Sequence, residues 1–175
     1  MGDRCYVSAR IHPLDWHLVY DLLDFPKALS TVRALWDKDQ GSQNQENKPF
    51  YTDEFTLEPD KTIAIECYEA NYGYYDEWIE AAQRGARFRA YHSYGGEYGP
   101  GSAIGLNFCH YYTELTHEGS DMYVTVSATG EVNEEHLRRV KEFIEASDKF
   151  ENSLKLLPDT WEEIIPLCHN KMPNG

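Results

Sequence analysis

No run of about eighteen apolar residues occurs in the chain, so a membrane-spanning helix is not expected. The opening Met1-Gly2-Asp3-Arg4-Cys5-Tyr6 lacks the charged-then-apolar pattern of a secretory leader. Tyr6 also stands where a myristoylation motif after Gly2 wants Ser or Thr. Cysteine is scarce, with only Cys5, Cys67, Cys109 and Cys168, and none forms a C-x-x-C pair. That removes the usual zinc-knuckle and dithiol redox signatures. The first three fall in apolar, strand-like stretches and read as buried thiols of a reducing compartment.

Basic charge is short as well. Sixteen Lys and Arg face thirty Asp and Glu, for a formal net charge of −14. A broad basic surface for naked nucleic acid or anionic membrane is thereby excluded. Catalytic signatures are missing too. There is no phosphate-binding Gly-x-x-x-x-Gly-Lys-Ser/Thr, no dinucleotide fingerprint, no H-E-x-x-H and no Gly-x-Ser-x-Gly elbow. No cofactor and no metal are expected, and an enzyme is not the leading expectation.

What remains is a chain of 175 residues, a length that suits a single domain over 1–175. Apolar residues make up 41% and aromatics 14%, enough for a folded core. Alternation over 4–11 predicts a first strand. Pro13 is expected to open a helix carrying Leu14, Trp16, Leu18, Val19, Leu22 and Leu23, and Pro26 a second one to about Lys38. Residues 39–49, rich in Gln, Asn, Gly and Ser, read as a flexible loop.

Strands are expected over 51–58 and 62–68, joined by a tight turn at Pro59-Asp60-Lys61. A helix follows over 75–84, ending at Gly85, with Trp78, Ile79 and Ala82 toward the core. Further strands are expected over 87–94, 103–112 and 122–128. Asn133 caps a helix with Leu137, Val140, Phe143, Ile144 and Phe150 at helical spacing. Pro158 is expected to open a short last helix, with a loose tail over 170–175. Tight turns between successive strands favour an α+β fold: a mainly antiparallel sheet with helices packed on one side, as a ferredoxin-like variation.

Three groupings could carry function. The window from Phe50 to Glu80 holds nine carboxylates, Asp53, Glu54, Glu58, Asp60, Glu66, Glu69, Asp76, Glu77 and Glu80, against Lys61 alone. Crowding like charge costs folding free energy. It reads either as a solvated face or as a surface that docks on a basic groove by mimicking phosphate spacing.

Nine of the thirteen tyrosines fall between Tyr68 and Tyr112, Tyr72 and Tyr74 among them. Sheet packing is one account; a protein-binding face, where Tyr gives large area with a polar tip, is the other. The third grouping is the loop Gly95-Gly96-Glu97-Tyr98-Gly99-Pro100-Gly101. Its glycines allow close backbone approach to a ligand, and His92 with Glu97 is its one acid/base pair to test. His92, His110 and His117 read as scattered surface histidines rather than a metal site.

Two stretches, Asp3-Arg4-Cys5-Tyr6-Val7 and Phe88-Arg89-Ala90-Tyr91-His92-Ser93-Tyr94-Gly95-Gly96-Glu97-Tyr98-Gly99-Pro100-Gly101, resemble small acidic accessory proteins of phages and other mobile elements, of the anti-CRISPR or anti-defence type. The resemblance covers about 20 positions and brings no catalytic residues. It implies a protein acting in the host cytoplasm against a defence system.

Two functional expectations follow. The leading one is a non-enzymatic inhibitor binding a basic nucleic-acid-handling protein, such as a CRISPR effector or restriction enzyme. Its surface would be Asp53, Glu54, Glu58, Asp60, Glu66, Glu69, Tyr72, Tyr74, Asp76, Glu77 and Glu80. It would contact neither nucleic acid directly nor membrane. The alternative is a small-molecule or nucleotide binder, or a hydrolase, using His92, Gly95, Gly96, Glu97 and Tyr98.

Overall fold

The computed structural model describes residues 4–23, 25, 54–96, 98–119 and 121–171. The predicted second helix over 26–38 and the loop over 39–49 lie outside them, as do Asp53, Glu97 and residues 172–175. None of the described helices is long and apolar enough to cross a membrane.

The first strand, β1 (Arg4–Ile11), alternates as its sequence predicts. Cys5, Val7, Ala9 and Ile11 are buried, and Arg4 and Arg10 are exposed. Pro13 does start helical structure, but it is a 3-10 turn, Pro13–Leu18, rather than a long helix. The turn buries Trp16 fully.

β2 (Glu54–Leu57) and β3 (Ile63–Asn71) form the expected hairpin. At its turn, Lys61 adopts a φ of 68°, and Asp60 Oδ1 accepts from Thr62 N at 3.1 Å and Thr62 Oγ1 at 2.5 Å. Helix α1 (Tyr75–Gln83) buries Trp78, Ala81 and Ala82, with Ile79 only half-buried. β4 (Phe88–His92) then returns beside β1.

The predicted strand over 103–112 is two strands. β5 (Gly101–Leu106) and β6 (Cys109–Glu114) fold back on each other through Asn107 and Phe108. Both turn residues have positive φ, 51° and 63°, the conformation a two-residue hairpin turn requires. Cys109 is therefore exposed on the edge strand rather than buried. The stretch 122–128 makes only isolated bridges, Leu115 with Met122 and Val126 with Val132, and is no strand.

The sheet has six antiparallel strands in the order β2-β3-β1-β4-β5-β6. β1 and β2 both oppose β3 and so run the same way. β3 and β4 both oppose β1 and are joined through α1. The four strands β2-β3-β1-β4 thus follow the interleaved order of a ferredoxin-like unit, with the β5–β6 hairpin added beyond β4. This is an α+β fold with an antiparallel sheet and helices on one side.

The core face carries Val7, Ala9, Ile11, Ile63, Ile65, Cys67, Phe88, Ala90 and Ala103. Trp78 of α1 meets Phe88 there, with ring centroids 4.8 Å apart. Helix α2 (Glu134–Leu154) begins where predicted: the Asn133 side chain accepts from His136 N at 3.0 Å. Its Phe143 and Ala146 form a second cluster with Ile104 and Leu106 of β5, while Phe150 and Leu154 join the main core. Helix α3 (Trp161–Lys171) starts three residues after Pro158 and includes Asn170 and Lys171. Trp161 Nε1 donates to the Glu58 carbonyl at 2.9 Å, fixing α3 against the β2–β3 hairpin.

Candidate functional site

The nine carboxylates of the acidic window do not form one surface. Glu58 and Asp60 serve the hairpin turn: Glu58 accepts from Thr56 Oγ1 at 2.5 Å, and Asp60 pairs with Arg10. Glu66 lies on the outward face of β3, opposite Ser8. Glu54 faces Glu66 in the strand register, and Glu69 belongs to β3; their side chains lie outside the described residues. Asp76, Glu77 and Glu80 ride on α1, which covers the core side of the sheet. The sheet therefore stands between Glu66 and the carboxylates of α1.

On α1 the charges are unequally compensated. Arg84 donates to Glu80 at 2.6 Å and to Asp21 at 3.0 Å, so two carboxylates share one guanidinium. Among the described residues no cation pairs with Asp76 or Glu77. Both sit in the first turn of α1, where the helix dipole favours negative charge.

Just before this helix the backbone is left-handed three times in succession, at Tyr72 (φ 48°), Gly73 (φ 65°) and Tyr74 (φ 56°). Glycine adopts this readily; for a tyrosine it costs roughly 1–2 kcal/mol. Gly73 also leaves room for His92, whose Cβ would lie 3.1 Å from a Cβ at that position. The turn brings Tyr72 and Tyr75, 53% and 45% exposed, onto the same edge of the molecule.

There they meet the end of β4 and the loop that follows it. Tyr72, Tyr75, Asp76, His92, Tyr98 and Tyr112 line an open cavity of about 460 Å³, within the roughly 300–1,000 Å³ range of ligand pockets. His92 and Tyr112 come from β4 and β6, the two strands that flank β5 and its Gly101, and their rings are nearly parallel, at 6°. Tyr75 stands across Tyr112 at 88°, with centroids 5.6 Å apart, and Tyr98 stands across His92 at 73° and 5.4 Å. The result is an aromatic box: two parallel rings form the base and two upright rings form walls. Gly101 is what lets the base rings close over the sheet, since a Cβ there would lie 2.6 Å from His92 Nε2.

The hydrogen bonds fix the state of the base. His92 Nδ1 lies 3.1 Å from the Ser93 carbonyl, which can only accept, so Nδ1 carries the proton. His92 Nε2 lies 3.1 Å from the Tyr112 hydroxyl. In the neutral ring Nε2 is an acceptor, and the Tyr112 O–H donates to it. Burial pulls the His92 pKa down, with the Ser93 carbonyl opposing, so the neutral ring is the form present at pH 7. Burial first and Glu114 second push the Tyr112 hydroxyl up to about 12. Tyr98 donates to Cys5 Sγ at 3.2 Å, which anchors its ring to β1.

The two sequence-predicted sets therefore meet at one place in part. Tyr72 and Asp76 from the acidic set, and His92 and Tyr98 from the loop set, share the cavity. Tyr74 points partly into the core, and Gly95 closes the loop by donating to the Tyr98 carbonyl at 3.1 Å. Gly96 is exposed beside it. Tyr75 and Tyr112, which belong to the tyrosine cluster of the sequence but to neither predicted set, complete the lining. A glycine at the start of a strand, Gly101, is the signal that two side chains close over the backbone there.

His92 and His110 are not scattered surface side chains: both are half-buried and ring-packed, His110 against Tyr75 at 5.8 Å. No group of three potential metal ligands occurs among the described residues. The box offers an anion little, since no Lys or Arg is among its lining residues. Matched against family models, curated proteins and solved structures, the chain finds no counterpart in any of the three, and the site's chemistry rests on its own geometry.

Proposed function

We propose that this chain is a non-enzymatic binding protein that docks on a basic partner through the face around the start of α1. The observation that carries this reading is a juxtaposition. Exposed Tyr72 and Tyr75 flank Asp76 and Glu77, next to an open aromatic cavity whose lining includes no cation. Tyrosine supplies large contact area at little entropic cost, and carboxylates supply complementarity to a positive surface. The net charge of −14 adds long-range attraction for a basic partner and repels nucleic acid itself.

Proteins that handle nucleic acid carry such basic grooves. Occupying one would exclude the nucleic acid, which makes an inhibitor of a host defence protein the functional form of the proposal. The interface is smaller than the acidic window: Tyr72, Tyr75, Asp76 and Glu80 are exposed and Glu77 half-buried around the start of α1, while Glu58 and Asp60 serve the turn.

The test compares capture from host lysate by the parent, by a Asp76→Lys/Glu77→Lys double variant, and by Glu151→Lys, a control on exposed α2. The expected result is a nucleic-acid-binding protein retained at low salt and lost with the double variant only. Screening over a Debye length of about 8–10 Å should also weaken it at high salt. Equal retention by the double variant would sink the proposal.

A further inference from the structure

We propose that the box formed by Tyr72, Tyr75, Asp76, His92, Tyr98 and Tyr112 is a cation site that takes an alkylammonium or guanidinium head group. The inference rests on the reading that this is the binding face, and it names the group that the face takes: the head of a partner's arginine, lysine or methylated lysine.

Three observations point to that chemistry. The first is ring geometry. Aromatic faces attract a cation within about 6 Å of the ring centroid. Here Tyr75 and Tyr98 stand at 88° and 73° to the base rings, with centroid separations of 5.6 and 5.4 Å. A head group seated in the cavity, over the base and beside a wall, therefore meets several π surfaces at once, as one flat stacking platform could not provide.

The second is charge. Asp76 is the one charged residue among those lining the cavity, and it is exposed at the mouth. The histidine in the base contributes no opposing charge, because its Nδ1–H is committed to the Ser93 carbonyl and its Nε2 to the Tyr112 hydroxyl. The remaining lining groups are tyrosines.

The third is built-in strain. Two tyrosines hold left-handed backbone around Gly73, and this turn sets Tyr72 and Tyr75 beside the cavity. Strain of this kind persists where surrounding structure fixes it, and it clusters at ligand clamps. An anionic ligand is opposed by the first two of these features, the ring faces and Asp76. The α1 N-terminus, which could favour one, carries Asp76 and Glu77 in its own first turn.

The experiment needs no partner. Choline and its uncharged isostere 3,3-dimethylbutan-1-ol are titrated into the full chain, with arginine methyl ester and adenosine as further probes. Binding is followed by NMR shifts of the tyrosine ring protons. The expected result is saturable millimolar binding of choline and of the arginine ester, with the neutral isostere at least about five-fold weaker. Asp76→Asn and Tyr72→Ala should each weaken choline by about three-fold or more while leaving the spectrum of the folded chain otherwise intact.

Equal affinity for choline and its isostere, or tighter binding of adenosine, overturns the cation assignment in favour of an apolar or base-stacking pocket. An absence of saturable binding by any probe overturns the site. The two readings separate cleanly. Choline binding without salt-sensitive partner capture removes the docking proposal and keeps the box. Capture that survives Tyr72→Ala and Asp76→Asn removes the box and keeps the docking face.

Discussion

At the scale of single residues, the left-handed tyrosines make a measurable claim. Tyr72 is exposed, and its φ of 48° is one that asparagine tolerates far better than tyrosine does. Tyr72→Asn should therefore leave the fold intact and raise stability by roughly 0.5–1 kcal/mol. For a chain of this size that is a rise in Tm of about 1–4 °C. The same variant should bind choline less tightly, because it deletes a ring at the mouth of the box. A lower Tm would mean that the Tyr72 ring contributes more packing than its exposure suggests, and the strain argument would fail. Tyr74 is unsuitable for this test, since its ring packs against the core and its replacement mixes strain relief with a packing loss.

At the scale of elements, helix α2 shows how local signals survive folding. Asn133 accepts from His136 N, and Arg138 holds Glu135 at 2.7 Å and Glu142 at 2.5 Å on the exposed side. Asn133→Ala should cost about 1 kcal/mol, read as a lower urea midpoint at constant m-value; no change would mean that water caps the helix equally well.

The same locality explains what the sequence makes legible. β1, the β2–β3 hairpin, α1 and α2 each carry their own periodicity, turn or cap, and each forms where that signal lies. The β5–β6 hairpin does not announce itself, because its positive-φ positions are Asn107 and Phe108, with no glycine, inside a continuous apolar run. Leu22 and Leu23 after the 3-10 turn have helical spacing, but tertiary packing of Trp16 and Val19 settles the segment differently. The site is half legible for a related reason. His92 and Tyr98 stand beside a conspicuous glycine loop, whereas Tyr75 and Tyr112 join them only through strand register and the packing of α1.

For the molecule as a whole, two pH effects oppose each other, and their sizes decide the outcome. The net charge of −14 repels itself at pH 7, so moving toward the isoelectric point near 4.8 relieves repulsion and favours folding. Buried histidines act the other way. His12 is 1% exposed, and burial, with Arg87 adding to it, pushes its pKa down to about 4, while Asp15 and the Ser153 backbone oppose weakly. Neither His12 ring nitrogen has a well-formed hydrogen-bond partner among the described residues.

An unfolded histidine titrates near 6.5, so below that pH the unfolded chain takes up a proton that folded His12 refuses. Stability from this group is complete above about pH 6.5 and is lost as pH falls toward 4, amounting to roughly 2 kcal/mol between pH 7 and pH 5. His92 and His110 are shifted in the same direction by burial and add to the loss. Salt separates the two effects, because it screens surface repulsion and leaves a buried ring untouched.

Urea unfolding of the parent at pH 7 and pH 5, in 0.5 M salt (about five times the ionic strength at which the Debye length is about 10 Å), should therefore show a clear loss at the lower pH. His12→Leu should remove roughly 2 kcal/mol of that difference, whatever its effect on absolute stability. A parent and variant with the same pH dependence would mean that His12 is protonated in the folded chain. The carboxyl groups would then account for the acid sensitivity of this protein.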